Sequence, residues 1–114
     1  MRFNAIITIC PAEKQQEIVD AAKAAGATAA TLLTARGTGM KEAKTFFGLT
    51  LDKPQEAIIM VVERHLCLKI MEAIYDAGEM LQPGQGICFS LPVGQIMGLE
   101  SQLSVIKKEA EEYI

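Results

Sequence analysis

The sequence predicts an α+β fold in which two helices cover one face of an antiparallel sheet. Three observations support this. Apolar, β-branched segments alternate with segments of helical periodicity, in the order strand, helix, strand, long polar stretch, strand, helix, strand. The chain has 114 residues, the usual size of one domain, so residues 1–114 are expected to form a single domain. The element order is that of the split βαβ, or ferredoxin-like, arrangement.

The first half of the chain supplies a strand, a helix and a second strand. The segment RFNAIITIC is β-branched and ends at Pro11, a residue favoured in the first turn of a helix. In the next segment, the positions that share one helical stripe are Ile18, Val19, Ala22 and Ala25. Gly26 follows at the expected helix end, and TAATLLTAR then predicts the second strand.

The second half repeats this order after a polar stretch. GTGMKEAKTFFGLTLDKPQ is too long for a tight turn, so we expect a projecting loop or an extended hairpin over about 37–54. EAIIMVVE is typical of a strand buried on both faces. The second helix has its apolar stripe at Leu66, Ile70, Ile74 and Ala77 and is expected to end at Gly78.

The remaining segments predict a fourth strand and a final helix. GICFSLPVGQI is strand-like, and Pro92 within it indicates an edge strand or a break. Residues 101–113 place Leu103, Ile106 and Ala110 on one face of a short amphipathic helix. The strands offer more apolar side chains than two helices can bury, so we expect sheet-to-sheet oligomerisation.

Charge and hydropathy exclude several classes of function. The net charge is −3 and the longest basic run is Lys107–Lys108, so nucleic-acid binding is not expected. The N-terminus lacks the h-region and cleavage site of a signal peptide, and no segment approaches the roughly 20 apolar residues of a membrane span. We therefore expect a cytoplasmic protein without direct membrane insertion.

The cysteines and the single histidine do not indicate a metal or catalytic site. Cys10, Cys67 and Cys88 are far apart and form no C-x-x-C pair, so we interpret them as small buried hydrophobes. His65 has no Ser or Cys placed near it in sequence that could form a dyad. No catalytic residue and no metal ligand is assigned.

Two glycine motifs and a pair of phenylalanines carry the functional hypotheses. RGTG, residues 36–39, is either a hinge or a ligand contact, and PGQG, residues 83–86, is either a turn or a ligand contact. Neither is a Walker loop, because the G-K-[ST] that holds phosphate is missing. Phe46 and Phe47 lie within the polar stretch, where they either dock into a partner or pack back on the domain.

At this point the chain resembles the PII family of nitrogen-regulatory signal-transduction proteins over about residues 3–99. The segments that carry the resemblance are NAIIT to CP, GATAATLLTARGTG, AIIMVV and GQGICF. The resemblance implies a homotrimer that binds nucleotide-sized effectors in clefts between subunits. It also implies a mobile loop, the T-loop of that family, that engages a membrane transporter or an enzyme.

The resemblance also implies the site residues. The ligand-binding set comprises Thr31, Arg36, Gly37, Thr38, Gly39, Lys41, Val62, Gly84, Gln85 and Gly86. The partner-binding loop carries Lys44, Phe46 and Phe47. No cofactor is assigned with certainty, and the implied effector is an adenine nucleotide or a small anion.

Several positions depart from the family pattern. Gln85 and Ile87 replace the Asp and Lys of the G-D-G-K signature, and Gly98 and Glu100 stand where two phosphate-binding arginines are expected. Each lost charge-assisted hydrogen bond costs roughly 1.5–3 kcal/mol, so we expect weak binding of ATP in the family's usual pose. A mononucleotide, a smaller phosphate or bicarbonate could be held instead by glycine backbone N–H groups and by Arg36, Lys41 and Lys44.

The predicted function is therefore a non-enzymatic, PII-like regulator that senses a small effector and signals through the loop of residues 37–54. The alternative is a structural or metal-responsive trimer of the divalent-cation tolerance type. That alternative requires Cys, His or carboxylate ligands that converge on one site.

Overall fold

The computed structural model describes residues 2–35, 45–46, 49–50 and 54–99. Six strands and two helices lie in this part of the chain. The strands are β1 (Phe3–Pro11), β2 (Thr31–Ala35), β3 (Thr45–Phe46), β4 (Leu49–Thr50), β5 (Gln55–Glu63) and β6 (Ile87–Pro92). The helices are α1 (Gln15–Ala24) and α2 (Cys67–Ala77), preceded by the 3₁₀ turns Ala12–Lys14 and Arg64–Leu66.

The main sheet has four strands in the order β2-β5-β1-β6, and all of its pairs are antiparallel. This order confirms the predicted ferredoxin-like fold. Among the described strands β6 pairs only with β1, and it ends at Pro92, in agreement with the predicted edge strand. Within the polar stretch, Thr45 pairs with Thr50 and Phe46 with Leu49, and most of the stretch lies outside the described residues.

The core lies between one face of this sheet and the two helices. Alternate residues of β1 and β5 point to the same face, and most of those on the helix side are buried. The fully buried large side chains include Ile6, Ile58, Met60, Ile18, Ile70 and Ile74. The predicted stripe of α1 is buried throughout, and that of α2 is buried at Leu66, Ile70 and Ile74. Helical periodicity therefore predicted the inward faces correctly.

The start of the first helix differs from the prediction. Pro11 is the last residue of β1, and a 3₁₀ turn separates it from α1. The Ala12 N–H donates to the carbonyl oxygen of Pro54, 3.1 Å away, which ties the end of β1 to the entry of β5. This tertiary hydrogen bond holds the residue after Pro11 outside the regular helix.

Gly78 ends α2 for a reason that the sequence did not reveal. Its φ is −80°, and the left-handed residue is Glu79, with a φ of 53°. A Cβ on Gly78 would lie 3.1 Å from Ile18 Cδ1 and 3.1 Å from the Ile74 carbonyl oxygen. Gly78 therefore permits close packing of α2 against α1. The Glu79 carboxylate forms an ion pair with Lys14 at 2.9 Å.

The opposite face of the sheet, which we call the open face, is not covered by any described element. The register places sixteen residues on it. Phe3, Gln55 and Glu63, at the ends of β1 and β5, are buried, and Pro11 is partly buried. The other twelve are partly buried or exposed, and Leu33 and Leu91 are about half exposed. These twelve are Ala5, Ile7, Ile9, Thr31, Leu33, Ala35, Ala57, Ile59, Val61, Ile87, Phe89 and Leu91. The single chain thus presents an apolar surface that spans the width of the sheet.

The predicted C-terminal helix, residues 101–113, lies outside the described residues. Within the described ranges, no helix has both the length and the apolar character needed to span a membrane.

Candidate functional site

The loop that leads into β6 contains the second glycine motif. Gly84 and Gly86 have φ angles of 81° and 119°, a conformation that residues with a side chain rarely adopt. A Cβ on Gly86 would lie 2.3 Å from the carbonyl oxygen of Ile9 and 3.1 Å from the Cα of Cys10. Gly86 is therefore required by the close approach of the loop to the end of β1, whether or not a ligand binds.

Gln85 is the polar side chain between these two glycines. Its Oε1 atom is buried and accepts no hydrogen bond from the described residues. Its backbone N–H points to the carbonyl oxygen of Gln82 at 3.4 Å, which closes the turn. A buried amide oxygen without a donor is costly in a folded protein. A ligand N–H or O–H at this position would remove that cost.

The first glycine motif follows the edge strand β2. Thr31 is exposed on β2, on the open face, opposite Ile59. Arg36, Gly37, Thr38, Gly39, Lys41, Lys44 and Phe47 lie outside the described residues. Phe46 belongs to the backbone of strand β3. The structure thus describes the chain up to Ala35, the last residue of β2, and the motif itself lies outside the described residues.

Val62 does not lie near the GQG turn within one chain. It is 4% exposed, belongs to the core beneath the helices, and pairs with Asn4 at the beginning of β1. Gly86 immediately precedes Ile87, and Ile87 pairs with Ile9 near the other end of β1. Within one chain, Val62 and the GQG turn are therefore at opposite ends of the sheet.

Strand β2, which precedes the first glycine motif in sequence, and strand β6, which follows the second, form opposite edges of the main sheet. Strands β5 and β1 separate β2 from β6. Three strand spacings correspond to about 14 Å between these two edges.

A groove between α2 and β6 is a feature that the sequence did not indicate. It has a volume of about 450 Å³ and is lined by Met71, Glu72, Tyr75, Asp76 and Cys88. Four of these residues recur on one side of α2, and the fifth comes from the edge strand. The pairing of this helix face with β6 depends on sheet order, so only the tertiary structure brings these residues together.

The three cysteines are reduced, and burial weakens the acidity of two of them. Burial, with a smaller contribution from the Glu56 carboxylate, raises the pKa of the Cys10 thiol to about 11. Burial, and then the nearby Cys67, raises the pKa of the Cys88 thiol. Cys10 and Cys67 are buried, which agrees with their interpretation as small hydrophobes, whereas Cys88 is half-buried.

Ionisable groups form few clusters in the part of the chain that the structure describes. No three His, Cys, Asp or Glu side chains there meet as a metal site. His65 contacts the Glu63 carboxylate through Nδ1, and its backbone N–H donates to the same carboxylate at 2.7 Å. Glu63 therefore caps the 3₁₀ turn before α2, which assigns a structural role to this pair.

The strand order defines an α+β, ferredoxin-like domain, and sequence comparison identifies its family. The model of the nitrogen regulatory protein P-II family matches residues 3–102. The chain therefore belongs to the PII family. Members of this family are signalling regulators that form trimers and act on target proteins, not enzymes, so the predicted non-enzymatic class is confirmed. The sequence has no significant match among curated proteins.

Three solved structures share the fold. A PII-like signalling protein of Thermus thermophilus is 15% identical, with a TM-score of 0.62 over 82% of this chain and 87% of that one. CPII of Thiomonas intermedia, bound to ADP, AMP and acetate, is 18% identical, with a TM-score of 0.60 over 82% and 90%. Arabidopsis thaliana PII, bound to citrate, is 20% identical, with a TM-score of 0.66 over 88% and 85%.

Proposed function

We propose that the protein is a homotrimeric PII-like regulator that binds an adenine nucleotide or a small anion in clefts between neighbouring subunits. Occupancy of the clefts is coupled to a membrane transporter or an enzyme through the segment of residues 37–54. The observation that carries this proposal is the strand order, in which β2, the strand before RGTG in sequence, and β6, the strand after the GQG turn, form opposite edges of one sheet. We expect a site that combines both motifs to be completed when a second copy supplies the other edge.

The open face supports the trimeric part of the proposal. Its central residues, Ile7, Ile59 and Val61, are only partly buried in the single chain. Burial of apolar surface stabilises an assembly by roughly 25 cal/mol per Å², and this face spans four strands. Packing of three open faces against one another would bury it and would bring the β2 and β6 edges of different subunits together.

The chemistry of the GQG turn bears on which effector binds. Gln85 is neutral and presents a buried oxygen acceptor, and Ile87 supplies no positive charge. A ligand with a hydrogen-bond donor and a small negative charge fits this turn better than a triphosphate does. CPII of Thiomonas intermedia, whose fold is similar, binds ADP, AMP and acetate. We accordingly expect AMP or ADP to bind more tightly than ATP.

Calorimetric titration of the protein with AMP, ADP, ATP and bicarbonate tests this proposal. We expect Gln85→Leu to weaken binding of the preferred ligand about tenfold, which corresponds to one hydrogen bond. Gln82→Leu is the matched control, since Gln82 is an exposed residue of the same type in the same loop. If none of the four compounds binds, or if both variants weaken binding equally, the proposed site is wrong.

Limited trypsin digestion tests the coupling to residues 37–54. Lys41 and Lys44 lie within this segment and provide cleavage sites. If occupancy changes the accessibility of the segment, the preferred ligand should alter the cleavage rate at these lysines but not at Lys69 on α2. Equal rates with and without ligand would contradict the coupling and leave ligand binding itself unaffected.

A further inference from the structure

Two cysteines, one from α2 and one from β6, contact the same methionine beside the groove between these elements. The Cys67 thiol lies 3.9 Å from the Met71 thioether sulfur. The Cys88 thiol lies 4.0 Å from the backbone carbonyl oxygen of the same methionine. Cys67 and Met71 are one turn apart on α2, and Cys88 approaches them from β6. Met71 and Cys88 also line the groove, which opens to solvent.

We propose that Cys67, Met71 and Cys88 form a three-sulfur site for a soft, thiophilic metal ion, namely Cu(I). Soft thiolate and thioether ligands favour Cu(I), zinc and iron–sulfur clusters over harder metal ions. Two sulfur ligands at roughly 2.3 Å from one ion stand about 4 Å apart. The 3.9 Å separation of the Cys67 and Met71 sulfurs already has this spacing. Two cysteines without further ligands are too few for the four-coordinate sites that zinc prefers.

Polar groups of β1 are placed to support metal-bound thiolates. The Asn4 side-chain N–H donates to the Cys67 sulfur at 3.5 Å. Thr8 is 0% exposed, and its hydroxyl has no partner among the described residues. Thr8 lies directly opposite Cys88 in the β1–β6 pair, on the same face of the sheet. A thiolate at Cys88 would accept the hydrogen bond that this buried hydroxyl lacks, which is the usual support for a metal ligand.

The groove provides a route for the ion and an attraction for its charge. Glu72 and Asp76 line its wall one turn apart on α2, and both are exposed. Their carboxylates give the entrance a negative potential that favours a cation. Binding replaces the two thiol protons, which pass to solvent, and leaves the oxidation state of the metal and of both sulfurs unchanged.

Anaerobic titration of the full chain with Cu(I), supplied as its bicinchoninate complex, tests the site. We expect one Cu(I) per chain, and we expect Cys88→Ala to weaken binding by at least about 100-fold. Cys10→Ala is the matched control, since it removes one thiol from the same helix-covered face and leaves the three sulfur ligands in place. Circular dichroism and size measurement establish that each variant is folded. Equal loss in both cysteine variants, or no binding by the wild type, would overturn the proposal.

Two further measurements test the site without replacing a cysteine. Met71→Leu conserves volume, and we expect it to weaken Cu(I) binding about tenfold without loss of the fold. X-ray absorption of the loaded wild type should show a shell of sulfur neighbours alone. Nitrogen or oxygen neighbours in that shell, or unchanged affinity in Met71→Leu, would contradict the three-sulfur site.

Discussion

The two faces of the sheet are built from the same strands but differ in what covers them. On the helix-covered face, Ile6, Ile58 and Met60 are at most 1% exposed. On the open face, the alternating residues Ile7, Ile59 and Val61 are only partly buried. The sequence of β5, QEAIIMVVE, gives no sign of this difference, because its isoleucines and valines occur on both faces.

This comparison shows that one face completes the fold of a single chain and the other is suited to assembly. The helix-covered face has its partners within the chain, so changes there should alter the free energy of unfolding. The open face is apolar but lacks a described partner, so changes there should first alter the oligomeric state. Substitutions at the adjacent residues Ile58 and Ile59, which face opposite sides of the sheet, therefore test stability and assembly separately.

The largest expected effect is loss of assembly in Ile59→Asp. A carboxylate in the centre of the packed open faces would be buried without a partner charge, which costs several kcal/mol per subunit. The molecular mass in solution, measured by light scattering, should fall to that of a monomer that keeps its secondary structure. Leu68→Asp is the control, because Leu68 is 69% exposed on the helix side. An unchanged mass for Ile59→Asp would show that the open face is not the interface.

The second effect concerns the helix-covered face. Ile58 is 0% exposed, and truncation to alanine removes most of a fully buried side chain. We expect Ile58→Ala to lower the free energy of unfolding by about 2–5 kcal/mol, measured by urea denaturation at fixed protein concentration. A loss below about 1 kcal/mol would mean that the core at this position is less tightly packed than its burial indicates.

The third effect concerns the turn at the β6 edge. An alanine at Gly86 must adopt a φ of 119° and place its Cβ 2.3 Å from a backbone oxygen, so the loop or β1 must shift. We expect a loss of about 3 kcal/mol in Gly86→Ala from strain and overpacking together. Gly94→Ala is the matched control, because a Cβ there meets nothing within 4 Å. If Gly86→Ala and Gly94→Ala are equally stable, the loop accommodates the added methyl group at residue 86 without a cost in stability.

The smallest effect is the contribution of Cys10 to alkaline stability. Its pKa is about 11 in the folded chain, against an ordinary value of 9.0, so the unfolded chain loses this proton first as pH rises. The protonated Cys10 thiol contributes roughly 2–3 kcal/mol to the free energy of unfolding below pH 9, and this contribution is lost between about pH 9 and 11. The difference between the wild-type and Cys10→Ala unfolding curves isolates it. A difference that does not change over this pH range would contradict the assignment.

Sequence reasoning predicted much of the fold but less of the candidate site. The inward stripes of both helices and the edge position of β6 followed from periodicity and from Pro92, because these signals are local. The role of Gly78 as a contact between helices was not predictable, since it depends on Ile18, sixty residues earlier. The site residues Thr31, Val62 and Gly84 to Gly86 came from resemblance, and their role as ligand contacts stays a prediction.

The sequence by itself determined the element order, the α+β class and the departures from the family's charged signature, because these depend on residue type and short-range spacing. Only the tertiary structure decided that Gly86 is held against Ile9, that β2 and β6 form opposite edges of the sheet, and that Cys67 and Cys88 both contact Met71. These facts depend on strand order and register. Both are set by packing between segments distant in sequence, where local patterns carry no information.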